Sequence, residues 1–560
     1  MRLVASLLLY LAALLTLKAQ STISPLIATN LPSTSPKYEV RAVWLTTLNG
    51  LDWPRTKGKE AQQKELINLL DRLHQAGINT VLFQTRVRAT TMYPSKIEPW
   101  DPVLAGGNDP GYDPLQLCVD ECHKRGMECH AWVCTIPIGK WNRLGSKEFK
   151  KKQPRLVKRI GDETYMDPEN PLTADYLARI CREIVANYDV DGIHLDYIRY
   201  PETWKQKVVK AKGRDHITRI VRAISKAVKD EKPWVKMSCS PVGKYDDLTR
   251  YRSGGWNART AVCQDAQLWL REGLMDQLYP MMYFQGNHFY PFALDWQEKS
   301  SGRTVVPGLG TYFLDPAEGK WTADVVEREM SVCRQIGMGH CHFRAKFFLD
   351  NVKGIYDFTK NFDCLPALVP PMTWMKVAAP AAPDSLAVSG NVISWKKAST
   401  GSDDSLHLFY NIYASREYPV DVNRAENIVA TRITGTQALV PQNGMSYAVT
   451  AMNRYGMESE PAQLQLFFNM LKLAEPRKES VVGSMPVIVT DGYTLAIPPK
   501  PSTLDADFIV VETIQGKQVA VTPYAANLDI KALPDGLYQL RSLGRKGRNH
   551  RLALFRIKRQ

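Results

Sequence analysis

Asp191-Gly-Ile-His-Leu-Asp-Tyr-Ile-Arg-Tyr-Pro201 sets a carboxylate at the end of a short apolar stretch. Gly192 to Leu195 is too short for a helix, and too β-branched at Ile193, so it reads as a buried strand. A helical run precedes it, Ala174 to Ala186, with Leu177, Ile180, Ile184 and Val185 on one face. Side chains alternate along a strand, so His194 and Asp196 are expected on one face and Ile193 and Leu195 on the other. A strand fed by a helix, its polar face ending in an acid, is the pattern of a (β/α) barrel strand whose C-terminal end carries chemistry. The plainer reading is an Asp196 that caps a helix or pairs with Arg199.

The same unit recurs from about residue 38 to 365. Leu66, Leu69, Leu70 and Leu73 form one helical face, Gly77 stops it, and Ile78 to Gln84 is extended. Leu115 to Lys124 leads through Gly126 into Glu128 to Thr135. Ile217 to Val228 precedes Val235 to Ser240, and Gln264 to Leu270 precedes Asp276 to Tyr283. The helix Val325 to Gln335 runs through Gly337 into a strand from His340 to Phe348. With Val40 to Thr46 and Thr304 to Gly308 added, eight strands alternate with helices. This predicts an α/β fold, a (β/α)8 TIM barrel.

At 560 residues the chain has room for further domains. Residues 1–20 read as a secretory signal peptide: a basic start, an apolar run too short to span comfortably, and a small residue at Ala19. No Cys follows that run, so no lipid anchor is expected there, and no later segment is apolar enough to cross a membrane. The expected location is secreted, cell-surface or periplasmic. The ten cysteines all lie between Cys118 and Cys364, several at buried strand or helix positions. Cys118 and Cys122 are one helical turn apart, and Cys129 and Cys134 bracket a strand. Neither a metal site nor a disulfide framework is indicated, although export would permit one or two bridges.

The formal charge is +15, with basic runs at Lys140 to Arg159 and in the last twenty residues. These read as solvated faces or as attraction to an acidic glycan or surface. Nucleic acid is not expected, because no recognition motif accompanies the charge. A Pro/Ala-rich linker covers 366–382. Residues 383–468 then show short alternating strands, with Trp395 early and Tyr447 late, and resemble a fibronectin type III domain. Residues 482–560 are again strand-and-turn. Their Asp535-Gly-Leu-Tyr turn and closing Leu-Phe-Arg-Ile-Lys-Arg resemble a type IX secretion C-terminal sorting domain, which would make the type IX export machinery a partner.

A barrel places its site at the strand ends. Arg86, Tyr93, Trp100, Trp132, His194, Tyr283 and Gln285 fall there and form the expected substrate-binding set. Aromatic faces stack on sugar rings, and Arg and Gln bond hydroxyls, so a glycan suits this lining. Glu39-Val-Arg-Ala-Val-Trp-Leu-Thr-Thr, Gly77-Ile-Asn-Thr-Val-Leu-Phe-Gln-Thr-Arg86, Met92-Tyr-Pro-Ser, Gly111-Tyr-Asp-Pro-Leu, His123-Lys-Arg-Gly-Met-Glu-Cys-His-Ala-Trp132 and Asp191-Gly-Ile-His-Leu-Asp recur in order. They resemble the glycoside hydrolase family 10-like proteins over roughly residues 38 to 350. The resemblance implies an exported TIM-barrel glycosidase, in a family that includes bacterial enzymes acting on peptidoglycan glycan strands. Three positions depart from the family pattern: Cys134-Thr-Ile-Pro for Asn-Pro-Tyr-Arg, Asp196-Tyr197 for a doubled Asp, and Pro280-Met281 for Pro-Gln.

Glycosidases commonly use two carboxylates. Asp196 is expected to be one, as nucleophile or base, with His194 on its face to hold or tune it. Asp191 and Asp276 begin their strands and belong to the opposite, stabilising end. Glu98, Asp167, Glu202 and Asp247 remain, and Asp247 is taken as the second acid by position alone. The leading expectation is a secreted hydrolase of O-glycosyl bonds in a bacterial cell-wall or other polysaccharide, peptidoglycan among them, needing neither metal nor organic cofactor. The alternative is a catalytically impaired carbohydrate-binding surface protein. A third is a metal-dependent barrel hydrolase using His340 and His342, which share one strand face but lack a nearby acid before Asp350.

Overall fold

In the computed structural model, the described residues are 35–464, save 206, 390, 400–406 and 441–444, and seven segments between 487 and 557. The signal peptide expected at 1–20 lies outside them. The chain divides into two compact units, 1–469 and 470–560.

The first unit is built on eight parallel strand positions. They are β1 (Arg41–Leu45), β2 (Thr80–Arg86), β3 (Glu128–Cys134), β4 (Gly192–Asp196), β5 (Lys236–Cys239), β6 (Gln277–Leu278), β7 (Thr304–Val305 and Gly308–Leu309) and β8 (His340–His342). Each pairs with its neighbour in sequence, and β8 returns to β1 through Arg41↔His340. The two halves of β7 flank Val306-Pro307, the first half pairing with β6 and the second with β8. Proline has no N–H to give a ladder, so it splits the strand without opening the circuit. The α/β barrel is thereby closed.

The helices between strands carry their start signals in the sequence. Here α1 is Lys59–Gln75, α2 Pro114–Lys124, α3 Pro171–Asn187 and α4 Lys210–Glu231. Asp113 caps α2 by accepting from the N–H groups of Leu115 and Gln116, and Asn170 caps α3 at Leu172, each ahead of a proline. The apolar stripe of α3 meets the outward residues of the strands, Ile193 and Leu195 included, in one large core. Trp44, Leu82, Trp132, Cys134, Tyr279, Val306 and Cys341 form a second core inside the barrel. His194 projects into this interior against Trp44 and Tyr279, so the alternation along β4 is as expected. Gly308 permits the packing, since a Cβ there would stand 2.7 Å from the Trp44 ring.

Two predicted strands are corrected. Asp276 to Tyr283 is regular strand only over Gln277–Leu278, with pairing resumed beyond Pro280 as a single bridge at Met281. His340 to Phe348 is a strand only to His342, and Ala345–Leu349 is helical. A short apolar run has no period that separates the two states. After β3 comes an element with no sequence expectation, a three-stranded antiparallel sheet of Pro137–Lys140, Glu163–Met166 and Val157–Ile160. It includes a helix at Leu144–Lys152 and carries the first basic run.

Beyond the barrel, antiparallel sheets of three strands (Asp384–Ser389, Val392–Lys396, Gln437–Leu439) and four strands (Ile428–Ile433, Phe409–Ser415, Ser446–Met452, Ala462–Leu464) enclose Ile393, Trp395, Ile412, Tyr447 and Val449. This block docks on the N-terminal face of the barrel. Arg432 reaches Asp191 Oδ1 at 2.5 Å and Glu128 Oε1 at 3.2 Å, and Arg454 pairs with Asp189. The second unit holds a five-stranded and a two-stranded sheet over a core of Ile509, Val511, Leu528, Ile530, Leu540 and Phe555. The Asp535-Gly-Leu-Tyr turn opens its strand Gly536–Leu543.

Candidate functional site

A cleft of about 510 Å³ opens at the C-terminal ends of the strands. Asp196, the last residue of β4, lies in it, nearly buried but reaching the cleft surface. Oδ2 accepts from the Trp132 indole N–H at 3.2 Å. Oδ1 accepts from Ser240 Oγ at 2.9 Å and from the Tyr197 N–H at 2.7 Å. Burial pushes the Asp196 carboxyl above the ordinary carboxylate range, against the opposing pull of Arg199 and of these three donors. Burial and the donors thus oppose each other at this carboxyl, and burial is the larger influence.

The backbone after Asp196 turns abruptly, with Tyr197 at φ +52° and its ring 39% exposed in the cleft. Non-glycine residues enter this region at a cost, which a site can bear when its surroundings hold it. The Tyr197 ring lies over the Arg199 guanidinium at 4.4 Å. Arg199 donates from Nε and Nη2 to Glu202 Oε1, and its Nη1 stands 3.8 Å from Asp196 Oδ1. Glu202 also lines the cleft, so one guanidinium separates two carboxylates that face it. Glu163 and Tyr165 enter from the inserted sheet, and Arg88 and Arg344 bring positive charge.

Of the other expected residues, Trp132 and Tyr283 line the cleft. The Tyr283 hydroxyl is buried without a hydrogen-bond partner, between Tyr312 and Phe343. His194 is adjacent but deeper. Its Nε2 accepts from Trp44 and its Nδ1 bonds Ser238 Oγ, and burial holds the imidazole neutral, well below its usual range. Arg86 is enclosed behind the wall, forked on Glu98 and bonded to the carbonyls of Cys134 and Thr135. It holds the end of β3 and does not face the cleft. Tyr93 bonds Glu183, and Trp100 packs on the helix-side core. Gln285 is exposed outside the lining, as is Asp247, which accepts from Ser253 and Arg252.

Ser240, Glu163, Arg88 and Arg344 were not singled out by sequence. Ser240 had the same signal as Asp196, since it stands one residue past β5. Gln84 had it too. Its Oε1 accepts from the N–H groups of Thr47 and Leu48 and so shapes the loop after β1. His340 and His342 do not converge on a metal. His340 pairs with Asp363, and His342 bonds Thr311. Although Glu39, His340 and Asp363 lie within 4.8 Å of one another, Arg41 and Arg334 reach into that group and supply its positive charge.

A closed α/β barrel with a nearly buried carboxyl and aromatic lining at its strand ends fits a glycoside hydrolase-like protein, and comparison with known proteins shows that class. The family model described as Glycosyl hydrolase-like 10 matches residues 39–212 and 199–312. The chain is 29% identical over 478 residues to Glycosyl hydrolase YngK of Bacillus subtilis (strain 168), covering 76% of this chain and 92% of that protein. It is 30% identical over 352 residues to Glycosyl hydrolase DigH of Escherichia coli (strain K12), covering 55% and 75%. The chain belongs to the glycosyl hydrolase-like 10 family. Among solved structures it is similar to alpha-L-fucosidase isoenzyme 2 from Paenibacillus thiaminolyticus, at a TM-score of 0.41 and 15% identity, over 58% of this chain and 49% of that one.

Proposed function

We propose that the protein is an exported glycoside hydrolase that cleaves a bacterial polysaccharide, with Asp196 as the general acid. The observation that carries this reading is the placement of Asp196 at the end of β4, nearly buried yet lining the cleft beside Trp132, Tyr197 and Glu202. In that role its carboxyl delivers a proton to the glycosidic oxygen as the bond breaks, and burial, which favours the protonated form, assists it. Glu202 is the partner carboxylate in this reading, replacing Asp247. It shares Arg199 with Asp196, and both carboxylates line the cleft. Trp132, Tyr197 and Tyr283 offer rings to the cleft. Neither carboxyl role needs a metal or an organic cofactor.

The substrate class is a cell-wall glycan. Cys134, Tyr197 and Met281, at the three positions that depart from the family pattern, all line the cleft. These positions are where substrate choice is set in this reading. The three-plus-four-stranded block is read as a fibronectin type III-like module and the second unit as a sorting domain for type IX export, following a cleaved signal at 1–20. The domain limits proposed are 38–365, 366–382, 383–468 and 482–560.

The test is reducing-end release from purified peptidoglycan, intact and stripped of stem peptides, by wild type and Asp196→Asn. Release by wild type alone supports the reading. Equal release by both removes Asp196 from the chemistry. Affinity for the glycan with no release from any cell-wall preparation favours the impaired carbohydrate-binding protein.

A further inference from the structure

Three of the cysteines meet in one place, on the side of the barrel wall away from the cleft. Cys118 and Cys122 lie one turn apart on the inner face of α2, and Cys129 is the second residue of β3. Their sulfur atoms fall within 4.8 Å of one another, with Cys118 and Cys129 at 3.7 Å. All three residues have no exposed surface, and their surroundings are the apolar helix-side core.

Such a cluster could hold a metal or form a bond, and its setting decides between them. Three thiolates around a mono- or divalent ion would leave net negative charge in an apolar pocket. Burying unpaired charge is strongly unfavourable. The nearest cation, His123, is engaged by Asp191 at 2.8 Å. A disulfide carries no charge and strands no polar group there. Among the pairs, Cys118 and Cys122 belong to one helix, where a bond would distort the i,i+4 ladder. Cys118–Cys129 and Cys122–Cys129 both join different elements, and of these the sulfurs of Cys118 and Cys129 are in contact at 3.7 Å.

We propose that Cys118 and Cys129 form a disulfide that staples α2 to the start of β3, leaving Cys122 as a thiol. The two thiols exchange with a disulfide-bearing oxidant: one S–S bond forms between the cysteines, the oxidant's S–S bond is reduced, and both protons leave on its two thiols. An oxidising extracytoplasmic compartment supplies such an oxidant. Occurrence in the cell thus rests on the export reading, whereas the pairing itself does not. The bond would fix the strand whose far end carries Trp132 and Cys134 into the cleft.

The folded full chain is equilibrated with a mixture of oxidised and reduced glutathione at a temperature that permits local opening. It is then denatured in N-ethylmaleimide and digested with trypsin. The expected product is residues 97–124 joined to 126–140 and two mass units below their sum before alkylation, with Cys122 and Cys134 both alkylated. The same link is expected in Cys122→Ser and absent from Cys118→Ser. Alkylation of both Cys118 and Cys129 in wild type overturns the proposal, as does a link made through Cys122. Glycan cleavage is measured separately, so failure of the bond and failure of the hydrolase reading are distinguishable.

Discussion

Asp196 is held where its ionised form is costly, and the cost has a sign that can be measured. Its folded pKa lies above the unfolded one, so its contribution to stability is full below the ordinary value of 3.8 and is lost as the pH rises through the raised value. Asp196→Asn should therefore melt higher than wild type at pH 7, a gain that disappears toward pH 4, as calorimetry across pH would show. The same change should lower kcat by about 10²–10⁴-fold. Removing the hydroxyl of Tyr283, which is buried with no partner in the structure, should raise the melting temperature by about 2–4 °C and change kcat/KM by less than about threefold, since it relieves a desolvation penalty and takes no contact from the substrate. Sequence could find Asp196 because a strand's last residue has a fixed place in a barrel. It could not find the Arg199–Glu202 pairing, which arises only once the left-handed turn at Tyr197 folds the chain back. Arg86 and Tyr93 sit near strand ends in the sequence, yet Glu98 and Glu183 draw their polar atoms away from the cleft.

Among the elements, the long amphipathic helices were legible because α1, α3 and α4 repeat their apolar face over several turns. Strands β6 to β8 were legible in position but not in extent. Pro280 and Pro307 break their ladders, and Phe343 to Phe348 reads equally as strand or helix. The inserted sheet after β3 was invisible, since its strands are short, half-exposed and interrupted by a basic helix. Packing inside the barrel gives a direct test at β7. Gly308→Ala pushes a methyl against the Trp44 indole, which donates to His194. The expected loss is about 1–3 kcal/mol by chemical denaturation, with overpacking as its cause. An unchanged midpoint would mean that the interior has slack.

At the scale of the molecule, the barrel's two ends do different work. The C-terminal end holds the cleft, while the N-terminal end is closed by charge. Asp191 is buried, yet Arg432 and His123 hold its carboxyl well below the usual range. Glu128, opposed by the same burial, is held by Lys236, His130 and Arg432 from its ordinary 4.5 down to about 2. Both carboxylates stabilise the fold above their unfolded values, and that contribution drains away as the pH falls toward about 2. Arg432→Ala strips the cation that both share, so it should cost about 3–5 kcal/mol at pH 7 and less at pH 3. A loss independent of pH would contradict the ion-pair account. Sequence placed Asp191 at the stabilising end, but the partner lies 241 residues away in another sheet, beyond any local pattern. The most direct test of the central claim, that Asp196 gives its proton to the leaving group, compares Asp196→Ala on two glycosides of the sugar the reducing-end assay identifies. One is the natural glycan linkage, and the other carries a dinitrophenol that departs without protonation. The account predicts a loss of at least about 10²-fold on the glycan and less than about tenfold on the dinitrophenyl glycoside. Equal losses on both, or none on the glycan, would contradict it.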